Sequence, residues 1–161
     1  MTSCFFEKRI LLVDDDDRHL ISLRRILCDY YEVITVGSPI EALKMIDSPN
    51  AFPVIISDYR MPFMNGVEFF TRVRAIDDNI QRIMLTGYAD LQMTIDAVNY
   101  CKINAFLTKP VSPVAVRRAV EDAFATYERL TCLDENDNAT LNEDDVVIDK
   151  ITQKEREIIL L

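Results

Sequence analysis

Four short segments carry side chains able to handle a charged group: Asp14 and Asp15 within DDDD, Asp58 after VIIS, Thr86 before Gly87, and Lys109 before Pro110. Three carboxylates brought together repel one another, and must bind protons or a cation. An all-oxygen set with room for water and a phosphate oxygen suits Mg²⁺. The charges of Asp14, Asp15 and Asp58 would then be balanced by the metal and Lys109, leaving a neutral site that can receive an anion. If Asp58 attacked a phosphoryl group it would become an acyl phosphate, whose oxygens need the metal, Lys109 and the Thr86 hydroxyl as partners. Phosphoryl transfer asks mainly for positioning and charge neutralisation. Taken singly, each residue has an ordinary explanation, as a helix cap, a turn residue or a surface lysine. Their conjunction at four strand ends is what points to a site.

Those strand ends come from the apolar pattern. ILLV at 10–13, VITV at 33–36, VIIS at 54–57, RIMLT at 82–86 and AFLT at 105–108 are short apolar runs, as expected of strands covered on both faces. Between them lie stripes of helical period: Leu20, Leu23, Leu27 and Tyr30, then Ala42, Leu43 and Ile46, then Phe69, Phe70 and Val73. Ile95 and Val98 suggest a weaker fourth helix, and Val116, Ala119, Val120, Ala123, Phe124 and Tyr127 a long fifth. Five alternations of strand and helix predict a parallel α/β sandwich with right-handed crossovers. Ligands of such sheets sit beyond the carboxyl ends of the strands, where the polar residues fall.

Composition narrows the chemistry. The chain has 161 residues and a net charge of −9, with only three glycines, so neither Gly-rich nucleotide-binding motif is present and the phosphate donor must be something other than bound ATP. Cys4, Cys28, Cys101 and Cys132 are scattered and only His19 accompanies them, which argues against a disulfide framework or a zinc site and favours a reducing cytoplasm. No apolar run approaches the roughly 20 residues of a membrane span, and the start lacks the pattern of a signal peptide. The charge is uneven: residues 1–130 carry a net −3 and residues 131–161 a net −6. A boundary near Leu130 follows, with residues 131–149 reading as an acidic solvated linker and 150–161 as the start of a helix, since Thr152 and Glu155 have capping-box spacing before IILL.

The stretches RILLVDDDD, VIISDYRMPFMNG, IMLTGYAD and AFLTKP, in that order and spacing, resemble the receiver domain of two-component response regulators over about residues 8–130, after an N-terminal tail of residues 1–7. The resemblance implies a flavodoxin-like, doubly wound sheet of order 2-1-3-4-5 with five helices. It implies that Asp58 accepts a phosphoryl group from a phosphohistidine of a sensor kinase or phosphotransfer protein, with self-catalysed transfer and hydrolysis. By position Asp14 and Asp15 match the acidic pair that organises Mg²⁺, and Arg60 the residue whose backbone carbonyl is a further ligand. Four consecutive aspartates leave that pair open by one position, and direct succession to ILLV favours 14 and 15, with Asp16 at the helix entry. Thr86 and Lys109 match the residues that hold the phosphoryl oxygens, and Thr86 with Phe106 matches the family's Thr/aromatic switch. Met61, Pro62 and Gly66 match the loop after the phosphoacceptor. Arg60, Gly87 and Tyr88 fall at the pocket mouth, where size and charge would restrict attacking water. Output would pass through the face of the fourth helix, fifth strand and fifth helix, about residues 90–125, to a homodimer or an output partner.

Rival functions fare less well. A haloacid-dehalogenase phosphatase would want an acid two residues after the nucleophile, where this chain has Arg60. A degenerate receiver acting as a binding module would not need all five pocket residues. Direct DNA binding lacks a basic stripe. ITQKEREIILL resembles the opening helix of a helix-turn-helix output domain, so the chain is expected to be a receiver plus linker of a larger regulator, or to end in a pairing helix. His19, amid DDDDRHL, reads as a solvated residue rather than a phosphodonor.

Overall fold

In the computed structural model, residues 8–46, 52–87, 90 and 101–139 are described, with side chains of the last stretch described through Cys132. The elements run β1 (Arg9–Val13), α1 (Asp17–Leu27), β2 (Glu32–Val36), α2 (Pro39–Ile46), β3 (Val54–Asp58), α3 (Gly66–Ile76), β4 (Gln81–Thr86), β5 (Ala105–Thr108) and α4 (Pro113–Ala139). The five strands form one parallel sheet in the order β2-β1-β3-β4-β5. This is the flavodoxin-like order. Helix α4 is the fifth helix of the sequence reading. The fourth, expected around Ile95 and Val98, lies outside the described residues, as do Tyr88, residues 1–7 and residues 140–161.

Strand periodicity sorts the core into two layers. Leu11, Val13, Ile55 and Met84 point to one face, where they meet Ala42 and Ile46 of α2 and Phe69, Phe70 and Val73 of α3. Ile10, Leu12, Val54, Ile56, Ile83 and Leu85 point to the other, against Leu20, Leu23 and Leu27 of α1 and Val116, Val120 and Phe124 of α4. Each buried Leu or Phe side chain contributes about 1.5–3 kcal/mol by leaving water. The three central strands are buried almost throughout, whereas β2 and β5 are only partly covered because they are the sheet's edges. Helix α4 continues past Leu130, so the backbone of the acidic stretch is helical as far as Ala139.

Local chemistry sets the helix entries beside the strand ends. Asp16 caps α1, its carboxylate accepting the Arg18 N–H at 2.9 Å. Asn65 and Glu68 form a reciprocal capping box at the start of α3. Gly66, the first residue of that helix, is pressed against β3: a Cβ there would lie 2.6 Å from the Asp58 carbonyl oxygen and 2.7 Å from the Met84 sulfur. Only glycine lets the loop after Asp58 turn back this tightly, and the Gly66 N–H closes it by donating to the Tyr59 carbonyl at 2.8 Å.

Candidate functional site

The register brings the predicted residues to one rim. Asp14 follows β1 and donates its backbone N–H to Val36, Asp58 ends β3, Thr86 ends β4 opposite Thr108, and Lys109 follows β5 with its N–H bonded to the Thr86 carbonyl. One carboxylate oxygen from each of Asp14, Asp15 and Asp58 lies within 4.8 Å of the others. Among the described residues they are the only such cluster. Strand register thus gathers the pair at 14 and 15, and Asp16 is occupied as the helix cap.

The cation at this rim is Lys109. Its Nζ lies 2.9 Å from Asp58 Oδ1 and 3.4 Å from Asp14 Oδ2. Asp58 Oδ1 also accepts the Tyr59 backbone N–H at 2.9 Å. Both bonds fall on Oδ1, which leaves Oδ2 without a donor among the described residues. Burial raises the Asp58 pKa above the ordinary carboxylate value; the Lys109 hydrogen bond opposes this, and the Asp14 charge adds to it. Asp14, almost wholly buried, has Oδ1 occupied by the Asp16 N–H at 2.8 Å. A buried carboxylate pair with one ammonium between them carries surplus negative charge, and its short side chains cannot withdraw to water. The all-oxygen donors and their separation therefore fit a hard divalent cation.

The remaining candidates are placed less uniformly. The Thr86 hydroxyl is buried on the rim and is engaged with the backbone, donating to the Gly87 carbonyl at 3.1 Å. The Phe106 ring is half-buried against the α2/α3 core layer, with its backbone opposite Met84. Gly87 is not crowded: a Cβ there would meet Asp90 Oδ2 at an ordinary 3.5 Å. The left-handed backbone turn in the loop after β3 is taken by Phe63, at φ 70°, whose side chain is fully in solvent. Arg60 does not hang free at the mouth. Its guanidinium clasps Asp90 in two parallel bonds, Nε to Oδ2 at 2.9 Å and Nη2 to Oδ1 at 2.6 Å.

His19 is exposed, in keeping with its place amid DDDDRHL, but it has partners: its Nδ1 lies 3.2 Å from Asp14 Oδ2 and 3.1 Å from Lys109 Nζ. The signal was present in the spacing: with Asp16 as the cap, His19 is the third residue of α1, in the turn that overhangs the end of β1.

Residues 10–121 match the family of response regulator receiver domains. The chain belongs to that family. It is 34% identical over 118 residues to the hydrogenase transcriptional regulatory protein HoxA of Bradyrhizobium diazoefficiens, covering 73% of this chain and 24% of that one. The HoxA of Cupriavidus necator is 39% identical over 116 residues, 70% of this chain and 24% of the relative. The chain thus spans about a quarter of the length of these curated relatives. Among solved structures, one described as an adenylate cyclase from Rhodopirellula baltica superposes with a TM-score of 0.79 at 38% identity, over 83% of this chain and 99% of that one. A CheY-like receiver domain protein from Methanospirillum hungatei superposes at 0.69 with 31% identity, over 76% and 97% respectively. As a response regulator receiver, the domain serves phosphorylation-dependent signalling. Among the described residues no helix is long and apolar enough to cross a membrane.

Proposed function

We propose that Asp58 is the phosphoacceptor of this receiver, taking a phosphoryl group from a phosphohistidine on a sensor kinase or phosphotransfer protein. The observation that carries this reading is the ammonium of Lys109 at 2.9 Å from Asp58 Oδ1, beside two further carboxylates. With Oδ1 held by Lys109 and the Tyr59 N–H, Oδ2 is the oxygen left to attack. The Oδ2–P bond forms as the P–N bond to the histidine breaks, and the departing imidazole keeps the electron pair. Asp14, Asp15 and Asp58 would hold Mg²⁺ with the Arg60 backbone carbonyl. The metal supplies charge neutralisation for the transferring group.

Lys109 and Thr86 then serve the phosphoryl oxygens, which requires the Thr86 hydroxyl to leave the Gly87 carbonyl and turn toward Asp58. That movement vacates space beside β4 for the Phe106 ring, the two-state element through which occupancy at Asp58 would reach β5 and α4. Phe106 has no hydroxyl, so its inward state would be held by packing alone. The output would be a homodimer through this face, or an output domain in a longer polypeptide. Because the relatives are named as transcriptional regulators, control of transcription is the output class we assign, with DNA contacted by other parts of the regulator.

Acetyl phosphate with Mg²⁺ tests the reading. The chain should gain one phosphoryl group, and beryllofluoride should shift amide signals around Asp58, Thr86 and Phe106. Asp58→Ala should show neither. Equal labelling of wild type and Asp58→Ala would refute the assignment, and an unchanged solution mass and partner affinity with beryllofluoride would remove the output switch.

A further inference from the structure

Directly before Asp58 a hydroxyl lies where the core needs only an apolar side chain. Ser57 is fully buried, in register between Val13 of β1 and Met84 of β4, both members of the layer that packs on α2 and α3. An alanine or valine would fill that place without a polar atom to satisfy. The β1–β3 ladder ends at Val13 opposite Ser57, one residue short of Asp58. At that point the Ser57 hydroxyl donates to the Asp58 carbonyl oxygen at 3.0 Å, with the Met61 sulfur, 3.9 Å away, as the weaker acceptor for the same proton.

The Asp58 carbonyl and the Tyr59 N–H belong to one rigid peptide plane, so a donor on the carbonyl end fixes the direction of the N–H end. That N–H is shared. It lies 2.8 Å from the Leu85 carbonyl oxygen and 2.9 Å from Asp58 Oδ1. Turning the plane toward β4 would give the hydrogen wholly to the strand and set Oδ1 loose; turning it the other way would break the strand pairing. Gly66 acts on the same carbonyl oxygen, which a Cβ at that position would approach to 2.6 Å. A donor on the carbonyl also polarises the peptide and strengthens its N–H as a donor.

We propose that Ser57 is a positioning residue for phosphoryl transfer, its hydroxyl setting the Asp58–Tyr59 peptide so that the Tyr59 N–H holds Oδ1 and Oδ2 is presented to phosphorus. This rests on the assignment of Asp58 given above. The hydroxyl does not touch the transferred group and acts through the backbone.

The test uses the full chain with saturating Mg²⁺ and acetyl phosphate as donor. The Oδ2–P bond forms as the P–O bond to acetate breaks, and acetate leaves with the electron pair. Rates measured against donor concentration separate the maximal rate from half-saturation. Ser57→Ala should lower the maximal rate by about threefold to tenfold, the size of one lost hydrogen bond, and leave half-saturation within about twofold. Ser57→Thr keeps the hydroxyl and should stay within about twofold of wild type in both quantities. Both variants fold, since alanine only removes a polar atom from an apolar layer and the threonine methyl lies beside adaptable methionine side chains. An alanine variant as fast as wild type, or one slowed only through half-saturation, overturns the inference while labelling at Asp58 keeps the receiver reading. A threonine variant as slow as the alanine one overturns it equally, because packing rather than the hydroxyl would then set the rate. If Asp58→Ala is labelled as fast as wild type, the reading of Asp58 falls and this inference falls with it.

Discussion

The two ends of the sheet hold mirror-image charge clusters. At the carboxyl end three carboxylates, Asp14, Asp15 and Asp58, gather with one ammonium, that of Lys109. At the amino end of β4 three cations, Arg74, Arg82 and Lys102, gather around the carboxylate of Asp78 at 3.2, 3.5 and 2.9 Å. The difference lies in where the surplus goes. At the amino end backbone carbonyls take it up: buried Arg82 donates to the carbonyls of Lys102 and Asp78, while Lys102 has a long arm that reaches water. At the carboxyl end the surplus is on short side chains fixed at strand ends. One cluster is complete as it stands, and the other, on the function proposed above, would accept a cation and then an anion.

The sharpest way to break this contrast is to remove one cation from each end. Lys109→Met should lower the rate of phosphorylation by acetyl phosphate by roughly 10²–10³-fold, as for loss of one donor to a developing anion, with the fold intact. A loss of less than tenfold would mean that Lys109 is not the working cation. Arg82→Met should do the reverse. It leaves the carbonyl of Lys102 without its donors, so urea unfolding should show a loss of about 2–4 kcal/mol, while phosphorylation per folded molecule is unchanged. A variant of normal stability and impaired phosphorylation would show that the two ends are not separate in role.

The sequence revealed one of these clusters and hid the other, for a physical reason. Polar side chains that end or directly follow short apolar runs must sit at strand ends, so Asp14, Asp58, Thr86 and Lys109 are legible from order alone, and so is the alternation that positions them. Arg82 reads in the sequence simply as the start of a strand, because nothing in RIMLT says that its guanidinium turns back to carbonyls near Asp78. That depends on where Lys102 arrives, twenty residues on. The Arg60–Asp90 clasp was hidden likewise, and so was the approach of Lys109 to His19, since each joins side chains far apart in the chain; only the position of His19 over the end of β1 follows from its spacing after Asp16. Edge exposure of β2 and β5 also could not be read from their apolar runs, as it follows from strand order.

Titration sharpens the contrast because the two ends respond oppositely. Asp58 holds its proton more tightly in the folded chain, so between the ordinary value of 3.8 and its raised value the folded state binds the extra proton, and stability falls as pH rises through that interval. Asp78 is lowered, chiefly by the Lys102 hydrogen bond. Its contribution is present above 3.8 and is lost as pH falls through its depressed value. Urea midpoints measured across the acidic range with a chelator should therefore lose their falling limb in Asp58→Asn and the acid-side loss in Asp78→Asn. Saturating Mg²⁺ should also remove the falling limb, by compensating the same carboxylate. If Asp58→Asn left the profile unchanged, the surplus charge at the carboxyl end would not be a cost to the fold.

The smallest effect concerns Arg60, which links the loop after β3 to Asp90. The guanidinium is three-quarters exposed, so solvent screens the pair and it adds little to stability even with its bidentate geometry. Its greater consequence is positional, since both bonds hold a large planar cation at the loop that follows Asp58. Water attacking an acyl phosphate at Asp58 has to approach past that loop. Arg60→Ala should therefore speed hydrolysis of the phosphorylated chain by only about threefold, the equivalent of ~0.6 kcal/mol, in a purified sample stripped of donor. Asp90→Asn provides the discriminating comparison. It keeps Arg60 but weakens the charge that fixes it, so it should reproduce part of the acceleration if the clasp places the guanidinium. It should have none if the bulk of Arg60 acts wherever the side chain lies. An unchanged lifetime in Arg60→Ala would show that the carboxyl end is shielded by residues other than Arg60.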